Sequence, residues 1–580
     1  MSVIFIYSFF TIKIWKQKTI IEQDVLSYYG YLPATFIYHD LTLSSIFNGK
    51  ENSLIQVWAK PFPNRGRAIK MSMGLSYMYS PFFFIAHYIA APKFGYPQDG
   101  FCRPYQKMLA FSSLFYVFIG LILLRKILLR YFSELITSIT LILIFFATNL
   151  KHYTFIEGPM SHSYNFFLLS AFLYLTLSFL KKPKFLNSIL LGLTYGLIVL
   201  IRPSNASVLI LSLLIGVYSL KDFKNHLFFL SRNYKFILLS ILCSIIIWIP
   251  QFLYWHKITG NYLYYSYTHE KFYFNHPHII EGLFGFRKGW IIYTPIMLFA
   301  ILGFFFLKRK SNDLFLPIIS FTIINLFVIF SWWCWWYGGS YGARAMIDSY
   351  ALMAFPIAAF FDFSFKRTTL LIPILLLTGA FISLNIFQSK QYQTSLLHWD
   401  SMTYETYKSI FLHKDFHKGY GETLKNPDYQ NALRGLPERD FSATYPFLKR
   451  NFDLNVKIKA FNGKYVSVDQ SKGYCLVADR INAGSWEAIE FDMEKPGVFT
   501  LTGWNRKFIS IDSSYNNRII ANKDSSSVSE TFTINILKNN KFAFKGSNGK
   551  YLKPDSLNNY ILDAVSDTIT TENEFEITSY

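Results

Sequence analysis

The sequence predicts two structural classes in one chain, a polytopic α-helical membrane region followed by a separately folded all-β domain. Three observations carry this reading. Apolar runs of membrane-spanning length recur up to about residue 387 and then stop. Basic residues cluster in every second connection between those runs. Past residue 450, Lys464, Lys507 and Lys550 stand 43 residues apart, and so do Asp469, Asp512 and Asp555.

Composition supports the membrane reading. Of 580 residues 52% are hydrophobic and only 16% are charged, where a soluble chain would carry about a quarter charged. A bilayer core ~30 Å thick takes ~20 mostly apolar residues as helix, and runs such as 236–255 and 369–387 supply them. The net charge of +21 does not point to nucleic acid. Its Lys and Arg residues sit in short clusters between apolar runs, as membrane anchors do, rather than on one water-facing surface. The cysteines Cys102, Cys243, Cys334 and Cys475 form neither a disulfide framework nor a zinc spacing. The first apolar stretch lacks a basic leader and a small-residue cleavage site, so no cleavable signal is expected there.

Taken in order, 1–14 is a short first span, and 15–107 reads as one long external loop. Within it, 71–90 is apolar but interrupted by Ser72, Ser76, Ser80 and Pro81, and is expected to lie in the interface or dip into it rather than to span, which would put the N-terminus outside. Further spans are expected near 108–124, 132–150, 164–180, 185–201, 205–220, 236–254, 291–307, 314–330, 346–362 and 369–387, about eleven in all with the first. The basic connections 125–130, 181–184, 221–235, 308–310 and 366–367 should face the cytoplasm. The connections 151–163, 202–204, 255–290 and 331–345, and the C-terminus, should then face outward. The stretch 388–450, with scattered Pro, Gly and charge, reads as an external linker.

From 451 to 580 the pattern changes to period-2 alternation. The turn signals Asn462-Gly463-Lys464-Tyr465, Asn505-Arg506-Lys507-Phe508 and Asn548-Gly549-Lys550-Tyr551 each open a unit. Each unit closes on an acidic–aromatic strand, at Glu490-Phe491, Glu530-Thr531-Phe532 and Glu574-Phe575. Alternation with Asn-Gly turns reads as β-hairpins, and three such units suggest a β-trefoil. The arrangement resembles the fascin-like trefoil family more than the ricin-type lectins, whose Gln-x-Trp signature is absent. The repeated Gly, Tyr and Phe residues are read as turn and core positions. Trp486 and Trp504 break the repeat, either as stacking platforms or as core and rim residues.

Ionisable residues at the mouth of a membrane bundle are functional candidates by default. The first external loop holds Glu22-Gln23-Asp24-Val25-Leu26-Ser27-Tyr28-Tyr29-Gly30-Tyr31-Leu32-Pro33-Ala34, then Asp40. Other outward segments hold Asp99-Gly100-Phe101, Glu157-Gly158-Pro159-Met160-Ser161-His162, Ile201-Arg202-Pro203-Ser204-Asn205, Phe286-Arg287-Lys288-Gly289-Trp290 and Trp335-Trp336-Tyr337-Gly338-Gly339-Ser340-Tyr341-Gly342-Ala343-Arg344. In order and position these blocks resemble the membrane glycosyltransferases of the GT-C superfamily, in particular the bacterial branch similar to protein-mannosyl and aminoarabinose transferases. The resemblance covers most of 1–387.

It implies a GT-C-like enzyme that moves a sugar from a polyprenyl-phosphate donor to a glycan, lipid or protein acceptor at the outer face of the cytoplasmic membrane. The β domain would lie on the periplasmic or extracellular side. Asp24 is then the expected carboxylate base, since an acceptor hydroxyl needs its proton withdrawn as the new bond forms. Read from the residues alone, Asp24 is better explained as a cap on a helix starting at Val25. Arg202, Arg287, Lys288 and Arg344 are the expected phosphate ligands, Arg having the planar fork that suits a phosphate. Any of the four has the alternative of snorkelling to lipid headgroups or of pairing with Asp348 or Glu281. Tyr28, Tyr29, Asp40, Glu157, His162, Trp336 and Tyr337 are expected to contact substrate, although the aromatic run 332–337 read from the residues alone is an interfacial belt. Glu157 and His162 are open to a divalent metal, or to an ordinary hydrogen-bonded pair; no metal ligand is assigned. The competing readings are a flippase of lipid-linked sugars, which would line a path through the bundle with polar groups, and a membrane-anchored glycan-binding protein.

Overall fold

The computed structural model describes residues 2–43, 58–438, 455–495, 498–525, 527–537 and 541–579. Two compact units emerge, one of residues 1–415 with 429–437 and one of 416–428 with 438–580.

The first unit is helical. Among the described residues six helices are long and apolar enough to cross a bilayer: Arg103–Leu128, Ser161–Lys181, Tyr234–Thr259, Asn312–Phe330, Arg344–Ser364 and Thr368–Gln393. Glu134–Phe146, Phe185–Ile201 and Met297–Lys310 are apolar but shorter. The stretch 205–220, expected as one span, folds as a 3-10 segment, Pro203–Leu209, continued by a short helix, Ile210–Leu214, the two forming one more short apolar element. Pro203 ends the preceding helix, and Gly216, at φ 78°, turns the chain out again. The 71–90 stretch holds a 12-residue helix, Gly74–Ile85, which relaxes into a π turn at Ala86–Ala90 beyond Pro81.

Two helices leave most of their surface uncovered. Tyr234–Thr259 exposes Leu238, Ile241, Leu242, Ile245 and Ile249, and Thr368–Gln393 exposes Ile372, Leu375 and Leu376. Such apolar surface is unsuited to water and suited to lipid. Contacts between helices rest on small residues, as lipid-embedded bundles favour. Phe185–Ile201 and Tyr234–Thr259 meet where a Cβ on Gly192 would collide with the Ser240 backbone. There Ser240 Oγ donates to Ser188 O at 2.8 Å and Ser244 Oγ to Gly192 O at 2.7 Å.

The connections segregate to two ends. At one end Arg125 pairs with Glu134, Tyr131 donates to Asp313 at 2.7 Å, and Asp362 takes both Lys310 and Lys366, at 3.4 and 2.8 Å. These are basic connections of the sequence pattern. At the other end the alternate connections meet: Asn149 Nδ2 donates to Tyr341 O at 3.1 Å, and Tyr341 N donates to the Tyr153 hydroxyl at 3.0 Å. The loop after Tyr234–Thr259 joins them through Lys70 and Glu270 and through Trp333 Nε1, which donates to Glu270 at 3.1 Å. A small hairpin of β1 (Ala59–Phe62) and β2 (Gly66–Ile69) lies here as well, Ile69 N donating to the Tyr254 hydroxyl at 2.9 Å. Residues 388–415 pack within this unit, Gln391 Nε2 donating to the carbonyls of Ile410 and His413 at 2.8 Å each.

The second unit is a closed barrel of twelve strands: β3 (Asn455–Ala460), β4 (Tyr465–Asp469), β5 (Cys475–Arg480), β6 (Ile489–Lys495), β7 (Val498–Thr502), β8 (Phe508–Asp512), β9 (Arg518–Lys523), β10 (Thr531–Ile536), β11 (Lys541–Gly546), β12 (Tyr551–Asp555), β13 (Ile561–Ser566) and β14 (Phe575–Ser579). The ends close because β14 pairs with β3 as well as β11. The 43-residue repeat is exact at atomic detail. Asn462, Asn505 and Asn548 donate through Nδ2 to the carbonyls of Ala478, Ala521 and Ala564 at 2.8, 2.8 and 3.0 Å. The hairpins are tied in a ring, since Ala521 N donates to Tyr474 O, Ala564 N to Asn517 O and Ala478 N to Tyr560 O. The core takes one residue from each repeat at a level: Val466, Ile509 and Leu552, then Ile489, Phe532 and Phe575. The equivalent of Glu530 in the first repeat is Glu487 rather than Glu490. Glu487, Glu530 and Asn573 each accept a backbone N–H from three residues upstream, at 2.6, 2.8 and 2.9 Å.

Candidate active site

All five outward connections expected from charge, 15–107, 151–163, 202–204, 255–290 and 331–345, contribute to one polar cluster of the helical unit. Asp24 stands in the first turn of the helix Gln23–Tyr29, which begins one residue ahead of Asp24 and has no side-chain cap. Its Oδ2 lies 3.5 Å from Arg344 Nη2, and its side chain keeps 26% of its exposure. Arg344 opens the 3-10 turn Arg344–Ser349, and its Nε has no hydrogen-bond partner.

The Tyr28 hydroxyl lies within electrostatic reach of Asp24, Arg202, Arg344 and Ser161. Burial raises its pKa, as does Asp24, against the opposing pull of the two guanidinium groups. Tyr267, from the long loop after Tyr234–Thr259, lies within electrostatic reach of Tyr28, Arg202, Asp24 and Glu270.

Behind this layer sits a buried hub. Asp348, 1% exposed, accepts from Asn205 Nδ2 at 2.7 Å and Asn165 Nδ2 at 3.1 Å, meets His162 Nδ1 at 2.9 Å, and lies 3.5 Å from Arg202 Nε. A buried carboxylate needs such a set of donors and a cation. Arg202 is thereby held with its guanidinium 5.6 Å from the Tyr337 ring. The alternative pairing of an Arg with Asp348 is realised at Arg202. Glu281 instead approaches His278, at 3.9 Å.

Glu157 and His162 do not pair with each other. Glu157 faces His152 at 3.9 Å. Burial would raise its pKa, but His152, Lys18 and Arg344 outweigh it and hold the carboxyl down at about 2. Among the described residues no three His, Cys, Asp or Glu side chains are gathered as a metal ion would require.

The remaining candidates lie outside the cluster. Tyr29 is fully buried and donates to Gly100 O at 2.5 Å. Asp40 accepts from Thr42 N at 2.9 Å within a turn. Lys288 is buried and donates to Ser340 O, under the turn that carries Tyr337 (φ 57°) and Gly338 (φ 62°). Burial pushes the Lys288 pKa down to about 7, with Asp400 and Glu157 opposing. Trp336, 2% exposed, has Arg287 5.2 Å from its ring and donates to the Tyr429 hydroxyl at 3.3 Å, and Tyr429 donates to Asp400 at 2.8 Å.

Sequence reasoning missed the size of the hub and the presence of Tyr267. Asn165 and Asn205 carried a usable signal, being amides at the ends of apolar runs. Tyr267 carried none, lying in mid-loop among many tyrosines.

A family described as a domain of unknown function, DUF7910, matches residues 441–578. No curated protein matches the chain. Among solved structures, the designed 3-fold symmetric protein ThreeFoil is similar over 22% of this chain and 100% of its own, at 12% identity and a TM-score of 0.21. The Archaeoglobus fulgidus oligosaccharyltransferase, in complex with Zn and sulfate, is similar over 61% of this chain at 15% identity and a TM-score of 0.35. This chain spans 48% of that oligosaccharyltransferase. Likenesses at these identities and scores do not establish a shared activity.

Proposed function

We propose that the chain is a membrane glycosyltransferase of GT-C type that uses a polyprenyl-phosphate sugar, with Asp24 as its base. The observation that carries this reading is the partly exposed Asp24 carboxylate 3.5 Å from Arg344, in a cluster built from connections far apart in sequence at one end of an apolar bundle. Proton withdrawal and phosphate binding are needed side by side in such a reaction, and the cluster supplies a carboxylate and guanidinium groups side by side.

In the proposed step the acceptor hydroxyl oxygen attacks the anomeric carbon as its proton passes to Asp24. The bond from that carbon to the phosphate oxygen breaks on the opposite face, so the centre inverts. The departing polyprenyl phosphate gains negative charge, which Arg344 and Arg202 neutralise. Fixed cations in a water-poor site stabilise such charge without reorganising. Tyr28 and Tyr337 line the sugar site, with Glu157 and His162 beside them. Arg287, Lys288 and Trp336 act from the adjoining layer by holding the 336–342 turn. Tyr29 and Asp40 keep the first loop folded.

The proposed topology keeps eleven spans, the shorter apolar helices crossing together with their neighbours, and puts the cluster on the outer face by the charge rule. The barrel is proposed to be a β-trefoil on that same side. A flippase would spread polar groups along a path through the bundle, whereas these gather at one end.

The test is sugar transfer from a panel of radiolabelled polyprenyl-phosphate sugars by the purified chain and by Asp24→Asn. Transfer that falls by at least about 100-fold in a folded variant supports both enzyme and base. Transfer that survives removes Asp24 as the base, and no transfer from any donor removes the enzyme reading.

A further inference from the structure

The threefold repeat of the barrel makes departures from it informative. Trp486 has Ser529 and Glu572 as its equivalents, and Trp504 has Phe461 and Ser547. Neither tryptophan is therefore required by the packing that the three repeats share. Yet the two indoles stack, with ring centroids 5.8 Å apart and planes within 17°. Trp504 is fixed from below by donating its Nε1 to Val468 O at 2.9 Å. Trp486 lies on it and remains 46% exposed. A large aromatic held flat by a second aromatic, with its other face half in water, is a preorganised stacking platform.

Hydrogen-bonding groups fringe the pair. The Arg480 guanidinium is 5.8 Å from the Trp486 ring centre. Arg480 also contacts Asp469 at 3.5 Å, Asp479 at 3.4 Å and Glu487 at 3.9 Å, and Lys472 contacts Asp479 at 3.3 Å. Asp479 Oδ1 is the atom that faces Arg480 Nε, and it makes no hydrogen bond. Planar charged groups beside an exposed indole match one ligand chemistry. A pyranose ring has an apolar face of C–H groups, which suits the electron-rich indole face, and an equatorial girdle of hydroxyls, which suits carboxylates and guanidinium groups.

We propose that Trp486, seated on Trp504 and fringed by Lys472, Asp479 and Arg480, is a carbohydrate-binding site of the β domain. It is single, since the other two repeats lack both indoles. It is separate from the Asp24 cluster and does not depend on the transferase reading.

The experiment uses the full chain in amphipol, because alkyl-glycoside detergents would compete. Binding to an array of immobilised neutral and acidic pyranose oligosaccharides is compared among wild type, Trp486→Ala, Trp486→Phe, Arg480→Gln and Asp24→Asn. The expected result is that wild type binds a defined set of glycans and that Trp486→Ala and Arg480→Gln each weaken this by about ten-fold or more. Trp486→Phe should retain most of the binding and Asp24→Asn all of it. Phe keeps a stacking face, so it also covers the case in which the Ala variant fails to fold. Three results overturn the proposal: no glycan bound by wild type, equal binding by folded Trp486→Ala, or loss in Asp24→Asn matching the loss in Trp486→Ala.

Discussion

Inside the β domain, one charged pair occupies positions that the other repeats fill with uncharged residues. Arg518 has Cys475 and Ile561 as its equivalents, and Asp563 has Val477 and Ile520. Arg518 Nε lies 3.7 Å from Asp563 Oδ1, and neither atom has a hydrogen-bond partner. Asp563 is 4% exposed on its side chain. Burial raises its pKa from 3.8 to about 6, although Arg518 pulls the other way. A carboxyl whose folded pKa is raised stabilises the fold below its unfolded pKa, and that contribution is lost as pH rises through the folded pKa. The gap between about 6 and 3.8, at about 1.4 kcal/mol per pH unit, sets a ceiling of about 3 kcal/mol. Most of that contribution disappears between the unfolded and folded pKa values, so the expected loss from pH 4 to 7 is between about 1 and 3 kcal/mol. The perturbation is Arg518→Ile with Asp563→Val, residues that equivalent positions already hold. Urea unfolding of residues 416–580, followed by tryptophan fluorescence at pH 4, 5, 6 and 7, measures the difference from wild type. Other carboxylates cancel in that difference. The double variant should gain on wild type as pH rises and be at least as stable at pH 7, because apolar packing commonly matches or exceeds a buried ion pair. A difference independent of pH would refute the reasoning.

Asp348→Ala should strip His162, Asn165 and Asn205 of their shared acceptor and leave the Arg202 charge without its carboxylate, a loss of about 3–5 kcal/mol; thermal unfolding in detergent would read it as a large drop in midpoint. Arg506 sits at φ 59°, where the other two repeats carry Gly463 and Gly549, so Arg506→Gly should stabilise the β domain by about 1 kcal/mol, visible as a rise in its melting temperature. Gly192→Leu should force Phe185–Ile201 away from Tyr234–Thr259 and lower the melting midpoint of the whole helical unit, while Gly379→Leu, at a position with open space, should leave it unchanged.

Much of the architecture was legible because its signals are local or periodic. Apolar runs, basic clusters and the 43-residue spacing each lie within a short window of sequence. The charge rule grouped connections that the fold also brings together, as Asp362 with Lys310 and Lys366 on one hand and Asp24 with Arg344 on the other. Span lengths were less legible. The run 205–220 is mostly apolar, but Pro203 and Gly216 decide its backbone, and composition does not weigh single breakers.

Sequence by itself determined the two-unit plan, the repeat, and a set of acids and arginines on alternate connections. Only the tertiary structure decided which of them meet. Asp24 and Arg344 are 320 residues apart, and His162 and Asp348 are 186 apart. No local pattern encodes such pairs, because a buried charge finds its partner through the packing of whole helices. The same reason separates Tyr28 from Tyr29. Adjacent on one helix, they point about 100° apart, one toward the charged cluster and the other into the core.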